Sequence, residues 1–335
     1  VLSLAYRVFG PVIAVGVWLN LALSLATVLA GALLAGALFG RQTMLASAWL
    51  LALLPSYIAV NVMLVYEVWL QLLLVLALLL ALRRPWRWPT LLALAGLAAL
   101  ATLVRPFWLL LPVLLWLVCL PRSTRRTQRS FWDFSAPSAV NMLAIQTAAV
   151  LLLLPLVVFQ SMQAGQFVPI SANSGVNLWI GNSANAYGGY FLPPDEISDP
   201  RNDRQVRDEV LAYALANPGH VLGLMPHKLR FLFDREYFEG IVTTGRLSES
   251  QLGLLLHLAD GSYFLLLGLA LASVALLLMR QQWGLLAPLL LFAYNIASYV
   301  PFFGDARFRW PVQFLLVIYA AALPALLRSS HKGTD

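Results

Sequence analysis

Asp305-Ala306-Arg307-Phe308-Arg309-Trp310-Pro311 stands between two apolar runs, residues 285–303 and 311–327, each long enough to enter a bilayer. Charge at the edge of a hydrocarbon slab is costly unless it reaches water, lipid headgroups or a partner. A single arginine would serve to anchor a helix end. Arg307 and Arg309 beside Asp305, at the lip of a membrane cavity, read instead as an anion site.

Composition supports a membrane setting. The chain has 335 residues, of which 60% are hydrophobic and 11% charged. Soluble domains carry roughly 25% charged residues. Apolar runs of about 18 residues or more recur along the chain, as in polytopic membrane proteins. The sequence pI near 9.8 does not point to nucleic acid. The basic residues fall in short links between apolar runs, not along one stripe. Cys119 is the only cysteine, so no internal disulfide forms, and its apolar surroundings read as core.

The runs read as about nine spans: 11–39, 43–62, 65–82, 90–104, 106–120, 138–159, 258–279, 284–303 and 311–327. Alternate links carry Arg41; Arg83, Arg84 and Arg87; Arg122, Arg125, Arg126 and Arg129; Arg280; and Arg328 with Lys332. Positive residues mark the cytoplasmic side, so these links and the C-terminus are expected inside and residues 160–257 outside. The same alternation places Val1 outside, which predicts an odd number of spans upstream of it. The expected fold class is an all-α polytopic membrane protein with a small mixed extracytoplasmic domain. Its expected parts are membrane helices over 1–159, an outer domain over 160–257, and three helices with a short tail over 258–335.

Four other features share the outer face. Glu67, at the turn between the second and third spans, is either solvated or a buried carboxylate with a partner. Arg105-Pro106 breaks the chain between the fourth and fifth spans, and its arginine either snorkels to headgroups or enters a shared cavity. The stretch from Asn173 to Asn182, then Ala186-Tyr187-Gly188-Gly189-Tyr190, combines glycines for tight turns with amides and rings suited to hydroxyl-rich ligands. Its candidate contacts are Asn177, Trp179, Gly181, Asn182, Tyr187 and Tyr190. Composition alone favours the plainer reading, an ordered loop packed on the membrane surface. Finally, residues 204–214 and 220–233 have the spacing of amphipathic surface helices, the second resting on headgroups.

His220, His227 and His257 lack metal-ligand spacing, and no metal or cofactor is indicated. Walker, dinucleotide-binding, HExxH and nucleophile-elbow motifs are absent from the sequence. Any activated substrate is then expected to arrive through the membrane.

Taken together, these residues resemble the polyprenyl-phosphate-dependent glycosyltransferases of the GT-C superfamily, in particular the family of protein O-mannosyltransferases and lipid A aminoarabinose transferases. The resemblance covers nearly the whole chain. Glu67 falls where many members carry a Ser-Glu pair, with Tyr66 in place of serine, and Arg105-Pro106 matches the family's Arg-Pro turn. The most specific match runs from Gly165-Gln166-Phe167-Val168-Pro169-Ile170-Ser171 through Asn177–Asn182 to Gly188-Gly189-Tyr190. Tyr213 to Lys228 and Arg307-Phe308-Arg309-Trp310-Pro311 complete it. One departure is visible: where members often carry Arg-Asn after the proline of the sixth retained span, Pro155 here leads to Phe159-Gln160-Ser161.

The Ala/Leu/Arg-rich composition leads to the expectation of an integral protein of a bacterial inner membrane. By the resemblance, its donor would be a polyprenyl-phosphate sugar, and its acceptor a glycan, lipid or protein on the outer face, amid membrane lipids and without nucleic acid. The resemblance implies donor-phosphate contacts at Arg307, Arg309 and Arg105, a supporting cavity at Glu67 and Asp305, and a catalytic aspartate upstream of Val1. The phosphate leaves as the sugar–oxygen bond breaks, and arginine suits that developing charge through paired N–H donors. An aspartate would act as general base on the acceptor. A transporter or flippase of lipid-linked intermediates, or a non-catalytic relative, remains the alternative expectation.

Overall fold

The computed structural model describes residues 2–62, 67–83, 86–120, 139–165, 167, 168, 170, 173–236 and 248–331. In chain order the helices are α1 (Leu2–Phe9), α2 (Ile13–Phe39), α3 (Arg41–Leu53), α4 (Pro55–Val62), α5 (Glu67–Leu82) and α6 (Trp88–Val104). A 3-10 turn, Pro106–Leu110, then leads into α7 (Leu111–Val118), followed by α8 (Ala139–Ala164), α9 (Ser174–Asn182), α10 (Asp195–Ser198), α11 (Asp203–Ala216) and α12 (Pro218–Leu232). After these come α13 (Glu249–Met279), α14 (Trp283–Leu286), α15 (Leu289–Tyr299) and α16 (Trp310–His331).

Among the described residues four stretches are long and apolar enough to cross a membrane: Ile13–Phe39, Ala139–Gln163, Glu249–Met279 and Ala306–Arg328. The chain is therefore helical with several membrane-spanning candidates. Glu67–Leu82, Trp88–Val104, Pro106–Val118 and Trp283–Tyr299 are apolar but shorter. Two departures of the helices from the apolar runs have local causes. The run 43–62 breaks at Leu54, because Pro55 disfavours helical backbone in the residue before it. Helix α13 starts earlier than the apolar run because Ser248 and Gln251 form a capping box ahead of Glu249. The arginines at 84, 122, 125, 126 and 129, with Lys332, lie outside the described residues, as do Tyr66, Gln166, Pro169 and Ser171.

The chain divides into two compact units. The first comprises Val1–Ala149, Glu236–Leu291 and Trp310–Asp335. Helix α16 is its centre, against α13, α3, α5 and α2. Of the most apolar 18 residues in this span 78% are buried, against 17% in α8, whose apolar side chains are mostly exposed. Lipid tails are as apolar as leucine, so close packing holds such helices together. Small residues permit it: a Cβ at Gly31 would stand 2.7 Å from Leu51, and one at Gly36 would stand 3.2 Å from Met44. Ala30, Ala32 and Ala35 on α2 are buried beside these two glycines.

The second unit comprises Val150–Arg235 and Phe292–Arg309. Helices α9 and α11 pair in it, joined by the Asp203 carboxylate. Gly175 N–H donates to Asp203 Oδ1 at 2.6 Å and Ser174 Oγ to Oδ2 at 3.1 Å. A carboxylate at the start of α9 satisfies donors that the helix leaves open and complements its dipole. The mixed character expected of the outer domain is not found among its described residues, which hold helices and no strand; Gly189 makes an isolated parallel bridge with Gly304, outside 160–257.

Candidate functional site

The Arg307 segment belongs to the second unit. After Val300–Asp305 the chain makes a 3-10 turn, Ala306–Arg309. Asp305 organises it: its carboxylate accepts the Arg307 N–H at 2.9 Å, and its carbonyl accepts the Phe308 N–H at 3.1 Å. The other carboxylate oxygen stands 3.0 Å from Arg307 Nε. The guanidinium lies 5.8 Å from the ring centroid of Tyr190 and 5.5 Å from that of Phe308. Cations over aromatic faces are held by the ring quadrupole. Tyr299 stacks on Phe308 at 4.0 Å and 5°, so the platform is fixed from below. Arg307 keeps 42% of its side chain exposed, within reach of a ligand.

Arg309 has the opposite surroundings. It is wholly buried, and its Nη1 donates to the Leu232 carbonyl at 2.8 Å. The two arginines of the expected clamp therefore differ in their surroundings. Arg307 faces outward, while Arg309 ties the end of α12 to the turn.

The first part of the glycine- and asparagine-rich stretch, Ser174–Asn182, is helical, while Ala186–Tyr190 is irregular chain. The helix is α9, and its glycines serve close approach: a Cβ at Gly181 would fall 1.8 Å from the Phe302 carbonyl, and one at Gly175 2.2 Å from that of Asp203. Asn182 is buried, with Nδ2 donating to the carbonyls of Leu178 at 3.0 Å and Pro301 at 2.8 Å. Its Oδ1 accepts from Lys228 Nζ at 2.8 Å. Gly181 and Asn182 thus hold the Val300–Asp305 segment. Asn177 and Trp179 are half-buried, Trp179 lying 5.3 Å from the Phe191 ring. Tyr187 and Tyr190 are the exposed members, at 47% and 43%, with Tyr187 Oη donating to the Tyr190 carbonyl at 2.5 Å. Of the expected substrate contacts, these two tyrosines share Arg307's neighbourhood, Tyr190 directly.

Glu67 and Arg105 belong to the first unit. Glu67 is 1% exposed and not solvated; its Oε1 accepts from Arg105 Nη2 at 2.8 Å. Arg105 sits at the C-terminal cap of α6, turned out of the helix before Pro106, and Glu67 at the first turn of α5. Each charge faces the helix end of opposite polarity. The arginine is thereby a partner of Glu67.

Beside this pair lies a polar network that the sequence reading did not single out. Glu236, 3% exposed, accepts from Trp310 Nε1 at 2.8 Å and Gln313 Nε2 at 3.0 Å. Gln71 Nε2 donates to Tyr57 Oη at 2.7 Å and to the Trp310 carbonyl at 2.9 Å. Ser24, Ser56, Tyr57, Glu67, Val68, Gln71, Trp310 and Gln313 line a cavity of about 20 Å³, room for one water. A usable signal existed: Gln71 and Gln313 are lone amides inside apolar runs, and buried amides need partners.

Among the described residues no group of three or more His, Cys, Asp or Glu is arranged to hold a metal. His220 meets the Ser183 carbonyl, His227 that of Gly223 and His257 that of Gly253. No protein-family model, curated protein or solved structure matches the chain.

Proposed function

We propose that this chain is a glycosyltransferase that takes a sugar from a polyprenyl-phosphate donor and passes it to an acceptor on the outer face of a bacterial inner membrane. One observation carries the proposal: Arg307 is a half-exposed guanidinium held by Asp305 and by the Tyr190 and Phe308 rings before any ligand arrives. Charge develops on the donor phosphate as the sugar–oxygen bond lengthens. A cation already in place stabilises that charge without reorganisation in the transition state. The resemblance of the Arg307-Phe308-Arg309-Trp310-Pro311 and Asn177–Asn182 stretches to GT-C enzymes supports the same reading.

Within it, Arg307 contacts the phosphate and Tyr190 and Tyr187 lie beside the sugar. Arg309 maintains the turn, and the Arg105–Glu67 pair fixes the ends of α5 and α6. The acceptor is a glycan, lipid or protein; the topology has the C-terminus cytoplasmic and residues 160–257 outside.

The test is transfer itself. The full-length protein in lipid vesicles is given polyprenyl-phosphate pentose and hexose donors with lipid, glycan and peptide acceptors. Label moving from donor to acceptor supports the reading. Donor crossing from one leaflet to the other with no transferred product overturns it in favour of a flippase.

A further inference from the structure

Within the second unit, the segment that brings Arg307 into place is held almost residue by residue. Lys228 Nζ donates to the Val300 carbonyl at 3.2 Å, and Asn182 Nδ2 to that of Pro301 at 2.8 Å. Phe302 runs against Gly181 with no room for a Cβ. Gly304 donates its N–H to the Gly188 carbonyl at 2.8 Å and lies so near Lys228 that a Cβ there would meet the Lys228 carbonyl at 2.1 Å. Asp305 and Arg307 follow at once.

Lys228 occupies the crossing point of this lattice. It is 1% exposed, and its amine bonds Asn182 Oδ1 at 2.8 Å as well as Val300. Both acceptors are neutral oxygens. An ammonium buried against neutral oxygens loses hydration that they only partly replace. A methionine of similar length would fill the same space without that loss. What methionine cannot do is join the Asn182 side chain and the Val300 carbonyl through one donor group. Burial also lowers the amine to about 8 from its ordinary value near 10.5, as expected of a cation kept from water.

We infer that Lys228 is a positioning residue for Arg307: by binding Asn182 and the Val300 carbonyl together, it fixes the Val300–Asp305 segment and so sets where the guanidinium meets a phosphate ester. The phosphate part of this inference rests on the function proposed above. The ordering of the segment does not.

The test uses the full chain in detergent micelles, with hydrogen exchange read at individual amides and farnesyl phosphate as the ligand probe. In Lys228→Met, the amides of Phe302, Gly304 and Arg307 are expected to exchange about tenfold faster, while those of α11 stay unchanged. Farnesyl phosphate affinity is expected to fall about tenfold with the guanidinium no longer preset. In the Arg307→Gln background the same lysine change adds nothing further, since its effect passes through Arg307. Lys228→Gln keeps a neutral donor at the same place and should give an intermediate exchange rate; it also covers the case in which Lys228→Met fails to fold. Unchanged exchange at Phe302, Gly304 and Arg307 in both variants overturns the positioning role. Equal losses of affinity from Lys228→Met with and without Arg307 show a general structural effect and overturn it as well. If wild-type protein binds no farnesyl phosphate, the phosphate reading of Arg307 fails while the exchange comparison still decides the role of Lys228.

Discussion

Arg105 and Glu67, 38 residues apart in sequence, meet at 2.8 Å between the C-terminal end of α6 and the first turn of α5. Glu67 is 1% exposed and the Arg105 side chain 18%. A buried pair owes little net stability to its attraction, since both ions lost water to form it. Its loss is asymmetric. Arg105→Gln leaves a carboxylate buried beside Gln71 and Tyr57, and should cost about 3–5 kcal/mol. Glu67→Gln leaves a partly exposed arginine that can turn toward water, and should cost less. The double variant should be more stable than the sum of the two losses predicts. Thermal unfolding in one detergent, read as a double-mutant cycle, checks all three.

Gly181 should accept no side chain. Alanine would place Cβ 1.8 Å from the Phe302 carbonyl, which is backbone and cannot swing aside. Gly181→Ala should therefore separate α9 from the Val300–Asp305 segment, and yield little folded protein by size-exclusion chromatography. Gly96 in α6 has nothing within 4 Å of the same position. Gly96→Ala should raise stability by up to about 1 kcal/mol, through helix propensity and lower freedom of the unfolded chain.

Stability should rise with alkaline pH because of Lys228. Its folded value is about 8 and its ordinary value about 10.5. Below pH 8 both states hold the proton, and the full cost of burying the charge is present. Between the two values the unfolded chain binds more protons than the folded one, so stability increases with pH. Tm measured from pH 7 to pH 10 should climb through that window in wild type, and the Lys228→Met curve should lack that climb.

Orientation can be read chemically. Cys119 is buried, and replacing it with alanine leaves a cysteine-free background. Leu192 and Leu215 are each 83% exposed in the second unit. Cysteines placed there should react with a membrane-impermeant maleimide on intact cells. A cysteine at Arg280, in the turn after α13, should react only once the membrane is opened. Reversal of these patterns would contradict the charge-based topology.

Most helices were legible because twenty-residue apolar runs leave the backbone few other ways to satisfy its hydrogen bonds. Their ends were less so. Leu54-Pro55 breaks a run that hydrophobicity alone joins, and Ser248 starts α13 well before the lipid-like stretch. Glycines misled most in α9. In sequence they signal turns, but here Gly175 and Gly181 mark surfaces where another backbone comes close, a fact set by Asp203 and Phe302 far along the chain. The same distance hid Glu236, whose partners Trp310 and Gln313 lie more than seventy residues on. Arg307 was visible as an anomaly of charge. That Arg309 would turn inward onto the Leu232 carbonyl was not, because two arginines on a 3-10 turn look alike in sequence.

The decisive measurement is binding of a polyprenyl-phosphate sugar to wild type, Arg307→Gln and Arg309→Lys in lipid nanodiscs. A charge-assisted contact of this kind contributes about 1.5–3 kcal/mol, so Arg307→Gln should weaken binding by roughly 10- to 100-fold. Arg309→Lys should retain near wild-type affinity once folded protein is compared. Equal affinity of wild type and Arg307→Gln would contradict the assignment of Arg307 to the donor phosphate.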